Sequence, residues 1–347
     1  NTEKNMGRPL GLLRAGYPYL KTLGMRRVTD YPYDLAFGPD DKLYVLCRTS
    51  GRALIRVWTF DDAERLTDDL VQIGDYGSND GQFQWPVQII TDCDGNLYVS
   101  DEATHKVSKF NPDGKFESRW GNEGSGKGEF TAPTGISFDP EGNMVVADSG
   151  NSRIQTYDAS GKLVQQFGES GEAEGQLKNP WGIHVDEFGD VYVADWGNNR
   201  VQVFSNDGDV KMVLEGKTPD GVAINRPSSV TVDQHGDIYI TDWPNNRVLV
   251  YDSNGRYVWR FLGDATLSRV ARDYMMTNAY ANRLREMANL EEEKYFRNPT
   301  SVRVDNQFRI CVADHSSYRL QVYQKESVEL DENSIAPPMR NHSLTTV

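Results

Sequence analysis

Residues 180–204 read PWGIHVDEFGDVYVADWGNNRVQVF. A proline opens the stretch, and Ile183-His184-Val185 alternates as a short strand would. Asp186 to Gly189 then supplies turn chemistry, and Val191-Tyr192-Val193-Ala194 is a β-rich run ending in Asp195. A polar Asn-containing turn follows, and Arg200 to Phe204 is a further strand. Strands of about five residues separated by turn signals every 8–12 residues mark an all-β architecture.

The stretch recurs. Pro86, Pro133, Pro180 and Pro227 stand 47 residues apart, and an aspartate follows each by fifteen: Asp101, Asp148, Asp195 and Asp242. The rule extends forward to Pro299 and Asp314, and backward to Pro32, where Cys47 takes the aspartate position. That makes six units, the first five with a fourth strand ending near Gly74, Gly121, Gly168, Gly216 or Gly263. Four strands per unit at a period near 45 is the signature of a β-propeller.

The pattern Pro-x-Gly-Ile … Asp-x-x-Gly-x-Val-Tyr-Val-Ala-Asp-x-x-Asn-Asn-Arg-Val-Gln-Val-Phe resembles the NHL repeat, which the fourth unit carries nearly in full. The resemblance spans about residues 17–323 and implies a six-bladed β-propeller. Unit one departs from it at Cys47 and through an insertion at 61–70.

The 347 residues are read as one propeller domain. The last unit lacks a fourth strand, and residues 17–24 have that strand's character, so the N-terminus is expected to complete the last blade. Between blades five and six, Gly263 to Pro299 is far longer than the other blade connections. Leu267, Val270 and Tyr274, then Leu284, Met287 and Leu290, recur at helical spacing, which predicts a helical insertion over 264–296, with Asp264 as a cap. Residues 324–347 read as an extended tail.

Composition narrows the function. The net charge is −14, and residues 1–27 contribute +5 of it, leaving −19 on the rest. Such a field repels polyanions, so nucleic acid is excluded as the main partner. The basic N-terminal strip reads as self-complementary packing on the acidic body. No apolar run is long enough for a membrane span. Three cysteines without a CxxC spacing give no metal or disulfide framework and fit reduced thiols in a cytoplasmic protein, although a leader already removed would leave the same residues.

Chemistry concentrates on one face. In a propeller the blade-entry loops and the second-to-third-strand loops share a face around the channel mouth, which gathers Tyr33, Trp181, Trp196, Trp243 and His315. The insertion enters from that face too and adds Arg269 and Arg272, suggesting a lid over the tryptophans. Tryptophans in loops serve either as a binding surface or as packing beneath such a lid. Channel-side candidates are Asp34, His184 and Arg303.

The recurring Asp with Arg five residues later (Asp148/Arg153, Asp195/Arg200, Asp242/Arg247, Asp314/Arg319) reads as turn and inter-blade hydrogen bonding rather than a cation ring. NHL-like lyases that cleave peptidyl-hydroxyglycine are zinc enzymes with histidines after the blade-entry prolines; here Val87, Thr134, Trp181, Ser228 and Thr300 stand there. No metal or cofactor is therefore expected. The leading expectation is a non-catalytic scaffold binding a protein partner or small ligand on the top face. The alternative is a hydrolase or lyase with its active site in the channel under the helical lid.

Overall fold

The computed structural model describes residues 8–9, 11–26, 28–60 and 71–330. The insertion at 61–70 and the end of the tail lie outside them. Five four-stranded antiparallel sheets are continuous in sequence, each beginning at its proline: Pro32–Phe37, Pro86–Thr91, Pro133–Phe138, Pro180–Val185 and Pro227–Val232. The sixth is composite. Pro299–Val304, Arg309–Asp314 and Arg319–Gln324 take their outer strand from Tyr19–Leu23, which pairs Leu23 with Leu320 and Tyr19 with Tyr323. The first strands are neighbours in cyclic order, the Pro299 strand returning to the Pro32 strand, so the six sheets close a ring.

Local chemistry sets the strand lengths. In the Pro180 blade, Asp186 Oδ1 accepts from the backbone N–H groups of Phe188 and Asp190 at 3.0 and 2.9 Å. Gly189 between them takes φ +83°, where a side chain would be strained. The following turn is a single 3₁₀ turn, Trp196–Asn198, ended by Asn199 in the left-handed region that asparagine tolerates. Asn199 Oδ1 then accepts from Arg226 N at 2.9 Å, linking this blade to the entry of the next. His105 Nδ1 makes the same link to Ala132 N at 3.0 Å, which gives that histidine a structural role.

Apolar residues lie on both faces of each sheet because each sheet is packed on two sides. Six buried clusters form, one for every blade-to-blade interface. The cluster closing the ring joins Leu23, Cys311 and Val322 to Leu43, Val45 and Trp58.

Two features of the helices depart from the sequence reading. Counted by the order in which the chain enters each sheet, the composite blade comes first and the Pro227 blade sixth. The helices Arg269–Thr277 and Ala279–Glu286 therefore follow the sixth blade rather than dividing a fifth from a sixth. Ser268, not Asp264, caps the first of them, its Oγ accepting from Ala271 N at 3.1 Å. The start of the tail is also a strand: Glu326–Leu330 pairs with Gly11–Gly16 in a two-stranded ribbon.

That ribbon and Arg8 before it lie against turns on the face opposite the blade-entry loops. Arg8 donates to Asp186 (2.7 Å) and to Tyr192 Oη (3.0 Å), and Arg14 pairs with Asp237. Arg8 and Arg14 of the basic strip are thus paired with the acidic turns they cross. No helix among the described residues is long and apolar enough to cross a membrane.

Candidate functional site

A cavity of about 530 Å³ opens at the channel mouth on the face of the blade-entry loops. Its aromatic lining is Tyr31, Tyr33, Trp85, Trp181, Trp196 and Trp243, with His315 beside them. Five of the six blades contribute. The repeat explains how: Tyr33 and Trp181 follow blade-entry prolines, Tyr31 and Trp85 precede them, and Trp196, Trp243 and His315 follow the recurring aspartates of their blades.

Arg48 anchors one wall. It occupies in the Pro32 blade the position that holds Trp196, Trp243 and His315 elsewhere, and it is buried. Its guanidinium carbon stands 3.5 Å from the Tyr33 ring centroid and 4.7 Å from that of Trp85. It donates to Pro86 O at 3.0 Å and faces Glu102 at 3.5 Å. Burial raises the Glu102 carboxyl above its usual range, and Arg48 opposes the rise. Across the cavity, Trp181 and Trp196 lie 6.2 Å apart at 34°, and Arg226 covers Trp196 at 4.8 Å.

His315 completes the rim. Its Nδ1 lies 3.1 Å from Pro32 O, a carbonyl that can only accept, so this nitrogen carries the proton. Its ring meets Tyr33 edge-on at 5.8 Å. Burial lowers its pKa, the Pro32 carbonyl opposes that, and the Arg48 charge lowers it further, so the imidazole is neutral near pH 7. The Trp243 indole N–H is buried without a partner among the described residues.

Beneath the cavity the channel is filled. The free space among Tyr33, Asp34, Gln88, Ser229, Ser301 and Arg303 is about 10 Å³, roughly what one water requires. Arg303 donates to both Asp34 oxygens at 3.1 and 2.8 Å, and Ile89 N adds a bond at 3.0 Å. Gln88 spans to Ile136 O at 2.7 Å. Asp34 and Arg303 are thus brought together, but as a mutually satisfied pair. His184 is separated from them and lines a different cavity, of about 250 Å³, with Arg8 and Phe188. Burial and then the Arg303 charge hold its imidazole down to about 3.

Arg269 and Arg272 do not join the site. No residue of 264–296 lines the tryptophan cavity. The first helix is tied to the outer strand of the composite blade instead: Ser268 Oγ donates to Gly24 O at 2.8 Å, Thr266 meets Tyr19, and Val270 is buried with Leu23 and Val28. The helical stripe borders its own cavity, with Leu267, Met275 and Leu284. The helices therefore do not form a lid over the tryptophans.

The aspartate ring is structural, within blades more than between them. Asp195 Oδ1 accepts from Lys178 N at 2.8 Å while Oδ2 takes Arg200 Nε at 2.9 Å. Arg200 reaches on to Glu172, Ala173 and Gln176 carbonyls in the loop entering the same blade. Asp148, Asp242 and Asp314 repeat this arrangement. In the Pro32 blade Cys47 Sγ donates to Thr29 O at 2.7 Å instead, and burial pushes its thiol up to about 12. Among the described residues no group of three or more His, Cys, Asp or Glu side chains could hold a metal ion.

Residues 177–204 and 225–251 match the family model of the NHL repeat, and residues 84–167 match one described as a 6-bladed beta-propeller. No curated protein matches the chain in sequence. Similar solved structures include virginiamycin B lyase from Staphylococcus aureus, at 13% identity and TM-score 0.56, covering 89% of this chain and 99% of that one. An auxiliary nutrient binding protein from Bacteroides ovatus has 15% identity and TM-score 0.55, covering 92% and 76% respectively. The WD40 beta propeller domain of Doa1 has 13% identity and TM-score 0.55, covering 90% and 98%. At these identities the likeness is one of fold. Ring closure, repeat spacing and the family matches converge: the chain is an NHL-repeat six-bladed β-propeller.

Proposed function

We propose that this protein is a non-catalytic binding module that takes a ligand, or a projecting group of a partner protein, into the aromatic cavity at its channel mouth. The observation that carries this reading is the contrast between two spaces on one axis. The upper one, about 530 Å³, falls within the ordinary size of ligand pockets, and aromatic side chains from several blades line it. The lower one, where a channel enzyme would work, is about 10 Å³ and filled by paired polar groups. Structural neighbours include a lyase and a nutrient binding protein, so fold alone does not choose between the two classes.

The test compares wild type with a Trp181→Ala/Trp196→Ala variant, each incubated with whole extract of the native source and recovered. Bound small molecules and proteins are identified by mass spectrometry. The reading expects species retained by wild type and lost from a variant of unchanged melting temperature. Identical retained sets would overturn it, and so would turnover of a retained species by wild type alone.

A further inference from the structure

We propose that the ligand of this cavity is an uncharged saccharide, stacked on the tryptophans and hydrogen-bonded around its edge. The proposal rests on the cavity being a binding site and deepens that reading by naming the ligand class.

Charge makes the first selection. Among the described residues, Arg48 is the sole formally charged side chain lining the cavity, since His315 is held neutral there. Arg48 is already committed to Glu102, to the Pro86 carbonyl and to two ring faces. An anion would find no uncommitted cation among the lining residues. A cation, the other natural guest of an aromatic cage, would meet Arg48 in the wall and Arg226 on the outer face of Trp196. A neutral guest meets neither difficulty.

Chemistry makes the second selection. Thr49, Ser50, Ser228, Asn298, Thr300 and Ser316 complete the lining, so small uncharged hydrogen-bonding groups on the Pro32, Pro227 and composite blades stand beside the flat apolar faces. Ser228 Oγ donates to Thr300 O, Thr300 Oγ1 to Pro32 O and Asn298 Nδ2 to Ser316 Oγ. An aliphatic guest would still cover the Thr49 and Ser50 hydroxyls and the remaining lone pairs of the others without offering a partner, at a cost for each. An aromatic side chain would use the rings and leave the hydroxyls to water. A sugar ring matches both parts of the wall: a C–H face that packs on an indole, and hydroxyls at its edge that both donate and accept.

The experiment probes one array of neutral and anionic glycans, and one of aromatic-rich peptides, with the full chain and with Trp181→Ala and Trp196→Ala. Trp196→Phe, which keeps a ring, serves if an alanine variant fails to fold. The expected result is retention on neutral glycans that is unchanged up to about 0.5 M salt and falls roughly tenfold or more in each alanine variant. Retention confined to anionic glycans or to peptides, lost in the same variants, would overturn the saccharide assignment and leave the cavity a binding site. Neutral-glycan retention indifferent to both tryptophans would overturn the cavity itself. No retention on any glycan overturns the saccharide class.

Discussion

Lys325 and Asp233 meet inside the closed ring, Nζ to Oδ2 at 2.6 Å, both almost inaccessible to solvent. Asp237 stands on the other side of the ammonium at 2.8 Å, and Arg14 pairs with the same carboxylate. Lys325 follows the last blade strand and Arg14 belongs to the ribbon strand Gly11–Gly16, while both aspartates sit in the turn of the neighbouring blade. Two positive and two negative charges thus bind the chain ends to the Pro227 blade.

Removing one side of such a group leaves buried charge uncompensated, which costs more than the pair contributes. Lys325→Met is expected to destabilise by about 3–5 kcal/mol, read as a fall in urea midpoint. Arg14→Met, whose side chain is 22% exposed, should cost far less. Equal losses would mean that the ribbon and not the buried ammonium holds the closure.

Asp195→Ala should cost about 1–3 kcal/mol through the amide and guanidinium donors it leaves unpaired, with ligand retention intact wherever the protein remains folded. Abolished retention at unchanged stability would make the aspartate part of the site.

The pH dependence follows from two histidines. His184 and His315 have folded pKa values below the ordinary 6.5. The folded state therefore prefers them neutral, and their contribution is present above the unfolded value and lost as pH falls below it. Stability should decline from pH 6.5 to 5, by at most about 1.4 kcal/mol per unit for each histidine. A His184→Gln/His315→Gln variant should show a flatter profile. An unchanged slope would assign the acid sensitivity to carboxylates.

Much of this was written in the repeat. Proline, aspartate and glycine spacing carries the strands, their count and the turns, because each choice is local. The same register placed Tyr33, Trp181, Trp196, Trp243 and His315 at the mouth. Trp85 and Arg48 were equally legible by position: one precedes a blade-entry proline, and the other occupies the slot of Trp196. Glu102 shares that slot in its own blade. What misled was the insertion. Its amphipathic stripe showed that it covers something apolar, but not which surface, and the contact of Val270 with Leu23 joins residues too distant in sequence for periodicity to reveal. The pairing of Asp34 with Arg303 was hidden for a related reason: nothing local signals that the two satisfy each other across the ring.

The wall built on Arg48 yields the last prediction. Glu102 already has a raised pKa from burial, and Arg48 is the charge that opposes it. Arg48→Met would leave that carboxylate without its counter-ion, so its folded pKa rises further and the folded state favours the protonated form more strongly. A raised carboxyl penalises folding above its folded pKa, and the penalty fades as pH falls through that value. The variant should therefore be destabilised at pH 7 by about 1–3 kcal/mol and recover part of the loss toward pH 4.5. Arg48→Met/Glu102→Gln, which carries neither charge, should sit above the single variant at pH 7 and lack its recovery on acidification. If the single and double variants melt together across the whole range, the 3.5 Å contact is not an ion pair of consequence, and Arg48 supports the wall through its stacking on Tyr33 and Trp85 alone.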